Sequence, residues 1–262
     1  MMCELLGVSV EHPIRLRFGW ESFALHGSRR AGNPDGWGVA YFADRDVLLL
    51  REPGPAVDSP MVKFLAEHAP PSRQIISHVR RATVGALSLE NTQPFLRYIA
   101  GRAHVFAHNG YIADVEISAV SPNLQPVGDT DSERLFVLLL AELEELWSRQ
   151  VPSLAERFSV VESFARRLRE RGALNFLYSD GLTLFAHGHR HTIPGEDISS
   201  DPGLYVLERD AGDGDAVPCV GLACDGGKGR QAFVATAPLD DQRWAPLAHG
   251  EIACFEQGLR VR

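Results

Sequence analysis

Two helical patterns lie between two series of short, β-rich apolar runs, and that order limits the fold more than any other feature of the sequence. Runs at 5–10, 37–42, 47–50, 74–79 and 103–107 read as strands, as do those at 174–179, 182–186, 204–207, 232–235 and 252–255. Between them, residues 131–150 place Leu135, Leu138, Leu139, Leu143, Leu146 and Trp147 on one helical stripe, and 153–171 form a second helix closed by Gly172. Thr130-Asp131-Ser132-Glu133 fits a capping box at the first helix's start. Strands, then helices, then strands predict an α+β sandwich with the helices packed outside the β-layers. The Pro/Gly-rich breaks at 32–36, 52–55, 69–71 and 211–215 are too short for linkers, so the whole of 1–262 is expected to form one domain.

Composition narrows the partners. With 45% hydrophobic and 23% charged residues the chain is an ordinary globular one. Its formal charge is -8, and its cations, nearly all Arg apart from Lys63 and Lys228, are scattered, which argues against nucleic acid as a partner. The longest apolar run, 135–140, is cut by Glu142, Glu144 and Glu145, far short of a bilayer span of about 20 residues, so no membrane association is expected. The start lacks a basic segment ahead of an apolar stretch, and a cytoplasmic location follows as the expectation. Cys3, Cys219, Cys224 and Cys254 have no CxxC spacing and read as free thiols.

The first candidate for chemistry is Cys3. If the residues before it are removed, a thiol and a free α-amine share one residue, and an amine titrating at roughly pH 7.7 to 8.0 can accept the thiol proton without a histidine. The segment 78–85 carries Arg80 at the end of a strand, where a guanidinium suits a carboxylate but also suits a surface ion pair. Asn109-Gly110 follows another strand and can face an oxyanion or simply turn the chain. Asp131 stands at a helix start, where an acid caps and matches the dipole. His187, His189 and His191 can share one face and leave a zinc site open, although no acid or cysteine nearby completes it. The stretch 226–230 lacks the spacing of a phosphate-binding loop.

Taken together and in this order, these pieces resemble the class II glutamine amidotransferases of the N-terminal-nucleophile hydrolases. The likeness spans the chain: Met2-Cys3-Glu4-Leu5-Leu6-Gly7, Pro34-Asp35-Gly36-Trp37-Gly38, Glu90-Asn91-Thr92-Gln93-Pro94-Phe95 and Asn175-Phe176-Leu177-Tyr178-Ser179-Asp180-Gly181 look like the free-standing subgroup related to the amidohydrolase of ergothioneine biosynthesis. The resemblance implies a four-layer αββα sandwich with antiparallel sheets. It also implies Cys3 as nucleophile, Asn109 and Gly110 as oxyanion hole, Arg80 with Thr83 on the substrate carboxylate, and Asp131 on the substrate amine. No cofactor and no metal are implied. Two positions depart from the sugar-phosphate members: Arg81 replaces an aromatic residue and Val84 a frequent histidine, both beside the glutamine pocket. Met1 precedes a bulky Met2, so Met2 is the expected start and Cys3 the expected first residue of the mature chain.

The expected activity is hydrolysis of a γ-glutamyl amide, glutamine or a γ-glutamyl metabolite, through a γ-glutamyl thioester. Ammonia, if that is the leaving group, would pass to a separate synthase subunit. The rival is a non-catalytic glutamyl-binding or metal-binding regulatory module, which would have no use for Cys3 and Asn109 together.

Overall fold

The computed structural model describes residues 3–18, 34–81, 85–116, 124–190, 202–212, 217–219, 222–225 and 228–262. One sheet holds β1 (Glu4–Phe18), β2 (Trp37–Ala43), β3 (Asp46–Glu52), β4 (Ser72–Val79), β9 (Tyr205–Ala211), β10 (Val217–Cys219), β11 (Leu222–Asp225), β12 (Gly229–Ala235) and β13 (Ala245–Pro246). Its main path runs β13-β9-β12-β1-β4-β2-β3, which puts β1 between β12 and β4. The other sheet holds β5 (Phe95–Ile99), β6 (Arg102–Ile112), β7 (Gly172–Ser179), β8 (Leu184–Gly188), β14 (Glu251–Glu256) and β15 (Leu259–Arg260), in the order β15-β14-β8-β7-β6-β5. The pairings within both sheets are antiparallel. The α+β reading holds.

Alternation along β1 explains the layers. Leu6, Val8 and Val10 join Val62 and Leu65 of α1 (Pro60–His68) in a core on the sheet's outer face. Leu5 points the other way, into a core shared with Val105, Ala107, Leu177 and Ala186 of the second sheet. Where the sheets face each other, Ala40, Ala107, Ala186, Ala232 and Ala253 are interspersed among larger buried residues such as Leu177, Leu184 and Phe255. On the far face of the second sheet, α2 (Asp131–Arg149) and α3 (Leu154–Leu168) lay Leu135, Leu139, Leu143, Phe164 and Leu168 over Phe106 and Phe176. Buried Arg157 of α3 reaches Asp180 at 2.7 Å and Thr183 at 2.8 Å, tying that helix to the β7–β8 turn. No helix among the described residues is long and apolar enough to cross a membrane.

Two local expectations change. The helix α1 follows Ser59, whose hydroxyl accepts from the N–H groups of Met61 and Val62, with Pro60 opening the first turn; the sequence reading passed over it. At α2, Thr130 does cap the helix by accepting from the Glu133 N–H, but the reciprocal half of the box is absent. The Glu133 carboxylate instead accepts from the N–H groups of Val127 and Gly128 and pairs with Arg97. The complete capping box belongs to α3, between Ser153 and Glu156.

Three buried histidines set the acid limit of the fold. Burial pushes His78 and His187 from 6.5 down to about 3, and His104 down to about 4. Each is neutral in the folded protein and takes up its proton near 6.5 once unfolded, so the unfolded chain binds more protons as the pH falls. Stability is therefore complete above 6.5 and declines below it, by about 1 kcal/mol per pH unit for each such histidine. Urea midpoints should be level above neutrality and drop from 6.5 towards 4, with a shallower drop for His78→Gln. A level midpoint across that window contradicts the account.

Candidate active site

Cys3 stands immediately before β1, the central strand of its sheet, which is laddered to β4 from Glu4 and to β12 from Leu6. The next residue, Glu4, pairs with Val79 of β4, which places Arg80 and Arg81 beside the thiol. The Arg81 N–H donates to Cys3 Sγ at 3.1 Å, and the thiol donates to the Arg81 carbonyl at 3.2 Å. From the opposite sheet, Asn109 of β6 donates its Nδ2 to the Cys3 carbonyl at 2.6 Å. Burial pushes the Cys3 thiol up to about 11, against the opposing pull of the Arg81 N–H and the Arg80 charge. At neutral pH it is protonated and becomes a nucleophile only when a base takes its proton.

Arg80 is buried, at 3% exposure. Its backbone is clamped to the 35–36 loop, donating to the Gly36 carbonyl at 2.7 Å. Its guanidinium reaches the carbonyls of Ala86 at 3.2 Å and Asp35 at 3.4 Å, which fixes its plane at the β4 end. Asp131, the first residue of α2, accepts from the Ile112 N–H at 2.9 Å and so sits against the end of β6, two residues past Gly110. Gly110 has φ +154° and its added Cβ would lie 2.0 Å from the Ala173 carbonyl oxygen, so no other residue fits there. Cys3, Arg80 and Asn109 thus converge at one end of the sandwich, and Gly110 and Asp131 flank them. Thr83 and Val84 lie outside the described residues, as do Met1 and Met2.

The sequence reading missed the residues that position Asn109. Gln93 acts as a surrogate strand for β6: its Oε1 accepts from the His108 N–H at 2.6 Å and its Nε2 donates to the His108 carbonyl at 3.1 Å. Asn175, opposite Asn109 in the β6–β7 register, donates Nδ2 to the Asn109 carbonyl at 3.1 Å and the Arg190 carbonyl at 2.9 Å. Its Oδ1 accepts from the His189 N–H at 2.7 Å, and a Cβ on Gly203 would fall 1.6 Å from that oxygen. His108 bridges Ser132 at 2.9 Å and the Ala173 carbonyl at 3.3 Å, and burial holds it neutral. Asn91 and Asp129 exchange two hydrogen bonds, 2.7 and 3.0 Å, that join the 91–94 loop to the start of α2. Asn91, Gln93 and Asn175 stood in the sequence only within family-like segments, with no role attached to them.

The histidine row has a different use from metal binding. His187 gives Nδ1 to the Leu174 carbonyl at 2.6 Å, and His189 packs its ring 4.3 Å from that of His249. His191 lies outside the described residues, and among those described no group of three or more His, Cys, Asp or Glu could hold a metal ion.

The comparisons agree with this geometry. The family model for class II glutamine amidotransferases matches residues 2–262. A Haemophilus influenzae protein named "Putative glutamine amidotransferase" is 36% identical over 280 residues, covering 100% of this chain and 86% of the relative. The crystal structure of a predicted glutamine amidotransferase from Pseudomonas aeruginosa superposes with a TM-score of 0.73 at 29% identity, covering 99% of each chain. Glutamine phosphoribosylpyrophosphate amidotransferase of B. subtilis, at 15% identity, shares the fold with a TM-score of 0.59 over 98% of this chain and 48% of its own. With Cys3, the neighbouring arginine and the crossing asparagine at one end of two facing antiparallel sheets, the chain belongs to the class II glutamine amidotransferases.

Proposed function

We propose that this protein hydrolyses a γ-glutamyl amide through a γ-glutamyl thioester on Cys3. The observation that carries the reading is the meeting of the two sheets at one residue: the Cys3 thiol held by Arg81 at 3.1 Å and the Asn109 amide reaching Cys3 at 2.6 Å. In this scheme the α-amine of Cys3, freed by removal of the preceding residues, takes the thiol proton as sulfur attacks the amide carbon. Asn109 Nδ2 and the Gly110 N–H hold the resulting oxyanion, a contact worth about 3 kcal/mol per donor. The ammonium returns its proton to the leaving nitrogen, the C–N bond breaks, and water then cleaves the thioester to give glutamate. Arg80 and Thr83 hold the substrate carboxylate and Asp131 its amine, which orients the bond to be broken. The chemistry needs no cofactor and suits a cytoplasmic enzyme.

The leaving group occupies the side of the thiol bordered by exposed Arg81. A cation there favours a leaving group larger and more polar than ammonia, so a γ-glutamyl metabolite is the preferred substrate, and delivery of ammonia to a separate synthase is the other destination. Steady-state kinetics on glutamine and on a panel of γ-glutamyl amides is the test. At least one panel member should exceed glutamine in kcat/KM by tenfold or more, about 1.4 kcal/mol of extra transition-state binding. Glutamine equal to or better than every member defeats the assignment of the leaving group.

A further inference from the structure

We propose that the end of the sandwich remote from Cys3 carries a second binding site, for the phosphate or carboxylate group of a small metabolite, centred on Arg102. Arg102 opens β6, seven residues before Asn109, which separates it from the catalytic end by about 23 Å of strand. It is only 8% exposed, and among the described residues its guanidinium makes no hydrogen bond and no ion pair. Its aromatic neighbour, the Trp147 ring, is 6.0 Å away. An arginine keeps its charge at any physiological pH, and a guanidinium whose stem is buried while its nitrogens open into a cavity is placed to bind an anion there. Such a group is retained where something external completes it.

The space for that ligand is present. A cavity of about 430 Å³ is lined by Arg102 together with Arg73, Ser72, Gln74, Asp44 and Gly181. It borders the place where β1 loses its register with β4, between the pairs Ser9↔Gln74 and Ile14↔Ser72, while Val10 stays paired with Gln231 of β12. Its walls are built rather than loose. Gln74 Nε2 donates to the Leu182 carbonyl at 3.0 Å, the Ser179 hydroxyl donates to Gln74 Oε1 at 2.6 Å, and the Ser72 hydroxyl donates to the Phe42 carbonyl at 2.8 Å. The first two bonds tie the first sheet to the β7–β8 end of the second and the third ties β4 to β2, and they occupy the side chains of Ser72 and Gln74, leaving the Arg102 donors for the ligand. Two guanidinium groups, of Arg73 and Arg102, face one carboxylate, of Asp44, so the cavity is net positive. The planar fork of Arg102 fits a phosphate or a carboxylate equally.

The test uses thermal unfolding and calorimetry of the whole protein with inorganic phosphate and with succinate, ionic strength held constant with chloride. At least one should raise Tm saturably. Arg102→Met should weaken that binding by tenfold or more, as expected for loss of a charge-assisted pair worth about 1.5 to 3 kcal/mol. Hydrolysis at Cys3 should be unchanged. Asp44→Asn should tighten binding by removing the opposing charge, and this variant decides the matter if Arg102→Met does not fold. A response to phosphate alone assigns a phosphate group, and to succinate alone a carboxylate. No saturable response to either anion, equal affinity in Arg102→Met, or unchanged affinity in Asp44→Asn overturns the proposal.

Discussion

Replacing Cys3 with Ala is expected to lower kcat on a γ-glutamyl amide by on the order of 10⁶-fold, the scale of losing a covalent nucleophile. Binding should survive, because the groups assigned to the glutamyl ends, Arg80 and Asp131, are held by contacts independent of the thiol: the Ala86 carbonyl for one and the Ile112 N–H for the other. Arg80→Ala and Asp131→Ala should therefore show the opposite pattern, a weaker calorimetric Kd with a smaller change in kcat. Turnover by Cys3→Ala within tenfold of the native rate removes the thioester from the mechanism.

The second large effect concerns the base. Burial places the Cys3 thiol at about 11, so at pH 7 roughly one molecule in 10⁴ carries the thiolate unaided. Protein that keeps Met2 ahead of Cys3 has an amide nitrogen where the mechanism requires an amine, and its turnover should fall by about 10²- to 10⁴-fold, the usual share of general-base catalysis. Intact-mass measurement separates the two forms, and single-turnover rates compare them. Equal rates show that another group takes the proton.

Much of this arrangement was legible in the sequence because it rests on short-range patterns. The strand at 74–79 appears as Ser72–Val79 and the helix at 131–150 as Asp131–Arg149, since period-2 and period-3.6 apolar repeats are local signals. The resemblance supplied Cys3, Arg80, Asn109 and Asp131, and the structure brings the first three to one end of the sandwich. What could not be read was register. Asn175 orients Asn109 only because β6 pairs with β7 with those two residues opposite, and Gln93 reaches His108 only because a loop lies along the β6 edge. The Glu133 carboxylate was assigned to Thr130 by spacing, yet three groups from the preceding loop and β5 compete for it and win. Arg102 stood just outside the strand read at 103–107, and its burial follows from the segments at Asp44 and Gly181, which lie against it.

The central position of β1 also sets an order of events during synthesis. On one side β1 pairs with β4, within reach early, but on the other it pairs with β12, where Leu6 lies opposite Ala235. At about 5 to 20 residues per second, the partner on that flank emerges roughly 10 to 50 s after Leu6. Until then the strand that follows Cys3 has an unpaired edge, and in the proposed mechanism this is the interval in which a peptidase can reach the residues ahead of Cys3. Closing that edge completes the sheet and the Cys3 end together, so under the proposed mechanism competence would follow the interval in which the amine is exposed.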